Sequence, residues 1–254
     1  MESMERPELI TEDQERLGRL VEWAQLDPRY HQAAYNALSR YPDNDFYHNT
    51  EHMFDVATGV LEECDTRGLE STERQALFVA ALYHDADAHL QSDETHTSPE
   101  ERSAAIARIE IISSSTGYGC EADDWDTLEF TNLVGGLIIS TVATVDIGDG
   151  RLEHILNSAD LGNLSWSQLE SLRSSGRFFV EMMIKEGEAF IGSMKDMLFF
   201  ADTTGKLDKL CTVARDRLNL LANTKHLPEI VERIKLITPK NVLAAFSNEE
   251  QPDS

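Results

Sequence analysis

At 254 residues, 41% of them hydrophobic, the chain has enough apolar material for a sizeable core and is within reach of a single domain. A formal charge of −24 argues against a nucleic-acid backbone or an anionic membrane surface as partner, since both would repel it. Cys64, Cys120 and Cys211 are far apart and odd in number, with no CxxC pair, which disfavours a disulfide framework and a thiolate zinc site.

The first residues, MESMERPELITEDQERL, place acids where a signal peptide needs a basic region and an apolar core. No stretch approaches the roughly 18 apolar residues of a membrane span, so a cytoplasmic protein is the expectation. Leu17, Leu20, Val21 and Ala24 recur at helical spacing behind Thr11, a good N-cap followed by acids, and predict a packing helix over 11–26. A shorter helix over 28–41 carries Tyr30, Ala33, Ala34, Ala37 and Leu38, and the turn chemistry of Tyr41-Pro42-Asp43-Asn44-Asp45 ends it. The next helix opens on Tyr47-His48-Asn49 and runs to about Cys64. In a helix, His48 and His52 would stack on one face a turn apart, and two such imidazoles can share a metal.

The segment 71–83 is apolar on most sides (RQALFVAALY) and predicts a buried helix, yet it ends in His84-Asp85-Ala86-Asp87. Adjacent helical residues point about 100° apart, so His84 and Asp85 can meet one ion only near the helix end or in a bend. The polar stretch 88–99, with His89 and His96, reads as a loop beside the site. Ser98-Pro99-Glu100-Glu101 then reads as cap, first-turn proline and first-turn acids of a helix reaching about Ser113. Glu100 and Glu101 are also candidates for orienting a ligand or a bridging water.

A long helix is expected over 125–144, with Gly135-Gly136 allowing close contact or a kink, before the break at Asp146 to Gly150. Asp160 lies in the largely apolar ILNSADLGNL, where an unpaired carboxylate is expensive and wants a cation. It can complete a nitrogen-and-oxygen cage with the upstream histidines and Asp85, against nearby rivals Asp146, Asp149, Glu153 and His154. Helices over 165–174, 177–190, 193–200, 206–223 and 228–236 follow. Trp125, Trp166, Phe178-Phe179 and Phe199-Phe200 are expected in the core, with one of them available to clamp a base. No alternating apolar run predicts a strand. The expectation is an all-α bundle of about a dozen helices in one domain, 1–246, with a polar tail at 247–254.

The order of these groups, His52, then His84-Asp85, then a distant Asp160, resembles the HD superfamily of metal-dependent phosphohydrolases. Within it, Tyr47 to Val56 (YHNTEHMFDV) is similar to the YHNxxHxxDV signature of class I cyclic-nucleotide phosphodiesterases, and His84 to Asp87 (HDAD) to their HDxD. Asp160-Leu161 with Asn163, in SADLGNL, is similar to their ADLxN segment. Small bacterial HD phosphohydrolases of unassigned substrate share these elements, and their NExxSA stretch is echoed by Pro99 to Ala104 (PEERSA). The resemblance spans about Tyr47 to Glu188 and implies a helical HD domain.

It also implies roles. His52, His84, Asp85 and Asp160 would hold one divalent metal firmly, an N2O2 set suited to Mn, Fe, Zn or Co and tolerant of Mg. Asp85 could bridge to a second ion such as Mg, His48 would be the general acid, Asp87 or one of the glutamates Glu100 and Glu101 could orient it, and Asn163 would contact the bound cofactor. Three features depart from the resembled patterns. Ala88 stands where the phosphodiesterases have a His, Thr141 is followed by Val142, Ala143, Thr144 and Val145 where the small bacterial enzymes carry a His, and no counterpart of the phosphodiesterases' purine-holding glutamine is found. The implied function is hydrolysis of a phosphoester of a nucleotide or related small molecule, with a (cyclic-)nucleotide phosphodiesterase as one form. The alternatives are a nucleotide phosphomonoesterase or pyrophosphohydrolase, and a metal- and nucleotide-binding HD module without turnover. Nucleic acid and membrane are not expected as partners, and homo-oligomerisation is left open.

Overall fold

Thr11 opens the first helix, α1 (Glu12–Ala24): its hydroxyl accepts from the Gln14 backbone N–H at 3.2 Å, and the Gln14 side chain accepts from the Thr11 N–H at 2.9 Å. The computed structural model describes residues 11–41, 47–87, 98–121, 123–142, 151–161, 168–185, 187–188 and 193–247. After a 3-10 turn at Pro28–Tyr30 come α2 (His31–Leu38), α3 (Thr50–Arg67), α4 (Ser71–Tyr83), α5 (Pro99–Gly117), α6 (Trp125–Ile139) and α7 (Arg151–Asp160). Then follow α8 (Gln168–Lys185), α9 (Met194–Thr203), α10 (Lys206–Thr224), α11 (Pro228–Ile234) and α12 (Pro239–Ser247). The described residues contain no strand, and the fold is the all-α bundle that the apolar periodicity predicts.

Two apolar clusters hold the helices. The first joins α1 to α7, and the second joins Leu161 with α8 to α12. At the hub of the first is α4, which packs against all six other helices of that cluster. Ala76 to Tyr83 is buried without a break, so the unbroken apolar run reflects neighbours on every side. Each large side chain fully buried there contributes about 1.5–3 kcal/mol. Between α5 and α6, Gly135 gives the close approach expected of it: a Cβ there would lie 2.5 Å from Nε of Arg108. A buried lysine links the clusters. Lys225, following α10, donates from Nζ to the Ser140 carbonyl at the end of α6, and Asn157 Nδ2 donates to the same oxygen at 3.3 Å. A cation there suits the negative end of the α6 dipole.

Four expectations are corrected. The helices expected at 165–174 and 177–190 are one helix, α8, running through Gly176. That glycine marks contact and not a break, because a Cβ on it would lie 2.2 Å from Cε2 of Phe246 on α12. Helix α12 itself was not expected; it buries Val242, Ala245 and Phe246 against the second cluster. The helix expected to reach Thr144 ends at Ile139, where the Ser140 and Thr141 hydroxyls donate back to Leu137 and Ile138 carbonyls at 2.6 and 2.8 Å. Trp125 and Phe199, expected in the core, are 75% and 62% exposed. No helix among the described residues is long and apolar enough to cross a membrane.

Gly176→Ala should therefore cost about 1–3 kcal/mol through overpacking. Thermal melting would show a Tm several degrees lower, largely restored when Phe246→Leu is added; an unchanged Tm in the single variant would mean that α8 and α12 do not meet as described.

Candidate metal centre

Asn49 sets the register of the site. Its extended backbone (φ −124°, ψ 178°) and its side chain, which accepts from the His52 N–H at 3.0 Å, start α3 at Thr50. His52 therefore lies in the first helical turn and His48 lies before the helix. The expected stack of the two imidazoles on one helical face does not form: their rings are 6.2 Å apart and nearly perpendicular, at 88°. At the far end of α4, the chain leaves the helix through the turn His84–Asp87, so His84 and Asp85 meet in the bend their adjacency required. Nδ1 of His84 lies 2.9 Å from the Ala81 carbonyl, which can only accept. The ring N–H therefore sits on Nδ1, and the Nε2 lone pair faces inward in the neutral form. Asp160, the last residue of α7, arrives from a third helix end.

One donor atom from each of His52, His84, Asp85 and Asp160 lies within 4.8 Å of all the others. His84 Nε2 is 3.1 Å from Asp85 Oδ2, 3.4 Å from Asp160 Oδ1 and 3.3 Å from His52 Nε2. His52 Nε2 is 3.4 Å from both carboxylates. Four donors around an ion at about 2.0–2.2 Å stand roughly 3.3–3.6 Å apart in a tetrahedron, and somewhat closer in an octahedron, so the donor set fits a divalent transition metal. The electrostatics agree. Burial disfavours the charged forms of all four groups, and their mutual attraction overrides it. Both histidines are raised by the facing carboxylates, Asp85 is held well below the usual range by His84 and His48, and Asp160 is brought to about 2 by hydrogen bonds from His52 and His84.

His48 belongs to a second arrangement. Its Nδ1 is 2.5 Å from Oε1 of Glu181 on α8, and its Nε2 is 3.7 Å from Asp85 Oδ2. The other oxygen of Glu181 accepts from the backbone N–H groups of Tyr47 and His48 at 2.8 and 3.0 Å, so one carboxylate fixes both the ring and the chain that carries it. Glu181 is 3% exposed. Burial raises its carboxyl, and the bond from His48 more than reverses this, to about 2. Sequence reasoning did not single Glu181 out. The signal was present, since an acid inside Phe178-Phe179-Val180-Glu181-Met182-Met183 raises the same cost that pointed to Asp160.

The other sequence candidates lie elsewhere. Asp87 is buried, pairs with Arg102 and donates its N–H to Ser103 Oγ at 3.0 Å, tying the turn after α4 to α5. Glu101 accepts from Ser98 N–H at 2.8 Å within the capping box of α5. Glu153 and His154 are not among the converging donors. Asn163, His89, Asp146 and Asp149 lie outside the described residues.

The site opens into a cleft of about 310 Å³, at the lower end of the range for small-molecule pockets. His48, Asp85 and Asp160 face it, with Glu100 and Thr141 beside them and Phe178, Leu218 and Leu221 supplying apolar wall. Tyr47 packs against the rings of His52 and Phe178 at centroid distances of 4.6 and 5.4 Å.

No protein-family model and no curated protein matches the chain. Among the solved structures similar to it are two of the phosphodiesterase domain of a rhodopsin phosphodiesterase from the choanoflagellate Salpingoeca rosetta. One is 14% identical with a TM-score of 0.48, covering 97% of this chain and 93% of that one. The other is 16% identical with a TM-score of 0.49, covering 91% and 85%.

The donor geometry predicts about one tightly held transition metal per purified chain. Elemental analysis of Asp160→Asn, which keeps volume and removes charge, should show at least a tenfold loss of affinity with helicity retained; His52→Ala and Asp85→Ala should lose more. Wild-type metal content in all three variants would exclude this cage.

Proposed function

We propose that the chain is a metal-dependent phosphohydrolase acting on a phosphoester of a nucleotide or related small molecule. The observation that carries this reading is that Asp85 and Asp160 of the four-donor set, and His48 held by the buried Glu181, face one cleft from adjacent positions. An ion held by His52, His84, Asp85 and Asp160 would lower the pKa of water and neutralise phosphoryl oxygens.

The chain's own groups supply the rest. Glu181 accepts the Nδ1–H of His48, which leaves Nε2 as the nitrogen directed toward Asp85 and the cleft. Protonated there, His48 can hand its proton to the departing ester oxygen, and the Glu181 carboxylate stabilises the imidazolium until it does so. Lys185 donates to the same carboxylate at 2.7 Å and keeps it ionised. Because Glu181 also holds the backbone of Tyr47 and His48, the acid is fixed in direction before substrate arrives. The apolar wall at Phe178, Leu218 and Leu221 can cover a base while leaving the phosphate at the polar end. Carrying an ion and a proton donor together favours turnover over a purely binding module.

His48→Asn should keep its metal yet lose on the order of 10²–10⁴ in kcat on an alkyl or nucleotide ester. The loss should shrink on a nitrophenyl ester, whose leaving group departs as a stable anion. Glu181→Gln should show the same leaving-group pattern with a smaller loss. If His48→Asn loses its metal, or slows both substrates equally, His48 is a ligand or a structural residue.

A further inference from the structure

The part of the cleft supplied by α10 is one helical stripe, Ala214, Arg217, Leu218 and Leu221, at spacing i, i+3, i+4 and i+7. Three of these are apolar and one is a guanidinium. Apart from His48, Arg217 is the only cationic side chain among the described residues lining the cleft. Its side chain is exposed and forms no ion pair with any described residue, although Glu100 lines the same cleft and the chain has 46 acidic residues against 22 basic ones. Its five N–H donors are therefore open to a ligand.

The needs of a bound nucleotide narrow what that ligand group is. The phosphate to be cleaved is met by the four-donor set and His48, and a base is met by Phe178, Leu218 and Leu221. A nucleotide with one phosphate, cyclic or open, has no charge left for Arg217. Guanidinium forks match phosphate oxygens in pairs, so a second phosphate is the group that completes the cleft. Resting on the phosphohydrolase reading above, we propose that Arg217 makes the cleft selective for a phosphoester that carries a second phosphate, as a nucleoside 3′,5′-bisphosphate does.

Calorimetry on the manganese-loaded protein tests this with adenosine 3′,5′-bisphosphate and adenosine 5′-monophosphate. The wild type should bind the bisphosphate roughly tenfold or more tightly than the monophosphate, in line with a charge-assisted hydrogen-bonded pair. Arg217→Ala should bring the two affinities to within about twofold, and Arg217→Lys should restore part of the difference as a point charge without the fork. A wild type with no preference, or an Arg217→Ala protein that keeps it, overturns the inference. Turnover of a nitrophenyl ester by the wild type separates the two claims. Turnover without the binding preference removes the role of Arg217 and leaves the hydrolase standing; the preference without turnover removes the hydrolase and leaves a bisphosphate-binding cleft.

Discussion

Uncompensated charge beside an apolar core is the constraint on which the rest of this structure depends. Two imidazoles and two carboxylates meet at the edge of a cluster whose central helix, α4, is buried on every side from Ala76 to Tyr83. Each carboxylate there needs a cation or a donated hydrogen, because a lone ion at such a depth costs several kcal/mol. All four groups stand at helix ends: His52 in the first turn of α3, His84 and Asp85 just past α4, Asp160 closing α7. Helix ends are where a side chain can leave the packing of its own face. The carboxyl ends of α4 and α7 also bring the negative poles of two dipoles to the cluster, a field that favours a cation over a second anion.

The same constraint governs Glu181, and through it the two halves of the chain. Glu181 is buried on α8 among helices of the second cluster, but besides Lys185 its partners are the backbone of Tyr47 and His48 and the His48 ring, which lead into α3 of the first. Pairing an acid from α8 with groups just before α3 makes the later helices part of the site. The cleft lining draws on both halves, with His48 from just before α3, Asp85 from just past α4 and Asp160 from the end of α7, and with Phe178 from α8 and Leu218 and Leu221 from α10 as apolar wall. Lys225, donating to the end of α6 from beyond α10, is a second polar tie between the same halves.

The helices and the four converging donor residues were legible in the sequence because each rests on a local rule. Apolar periodicity placed α1 and α4, capping placed the start of α5, and the cost of an acid in an apolar run exposed Asp160. What was not legible depended on partners far away in sequence. Gly176 looks like a break until Phe246 is seen against it, and Phe246 sits on α12, which a short stretch after Thr238 does not advertise. Arg102 claims Asp87, which sequence alone left free to orient His48. Trp125 shows the limit of residue type as a guide: it begins α6, and a first-turn position on the outer face exposes even an indole.

The two histidines of the first motif show how one residue decides between two chemistries. Spacing alone makes His48 and His52 equivalent, since four residues is one helical turn. Asn49 breaks the equivalence by capping the helix between them. His52, inside the helix, is carried to the carboxylates of Asp85 and Asp160 at 3.4 Å. His48, outside it, is free of the helical face and turns to Glu181. An imidazole committed to an ion would have its lone pair occupied and could not also carry a transferable proton on that nitrogen, so the proposed reaction would call for two histidines in two environments. The helix boundary supplies both from one turn of sequence.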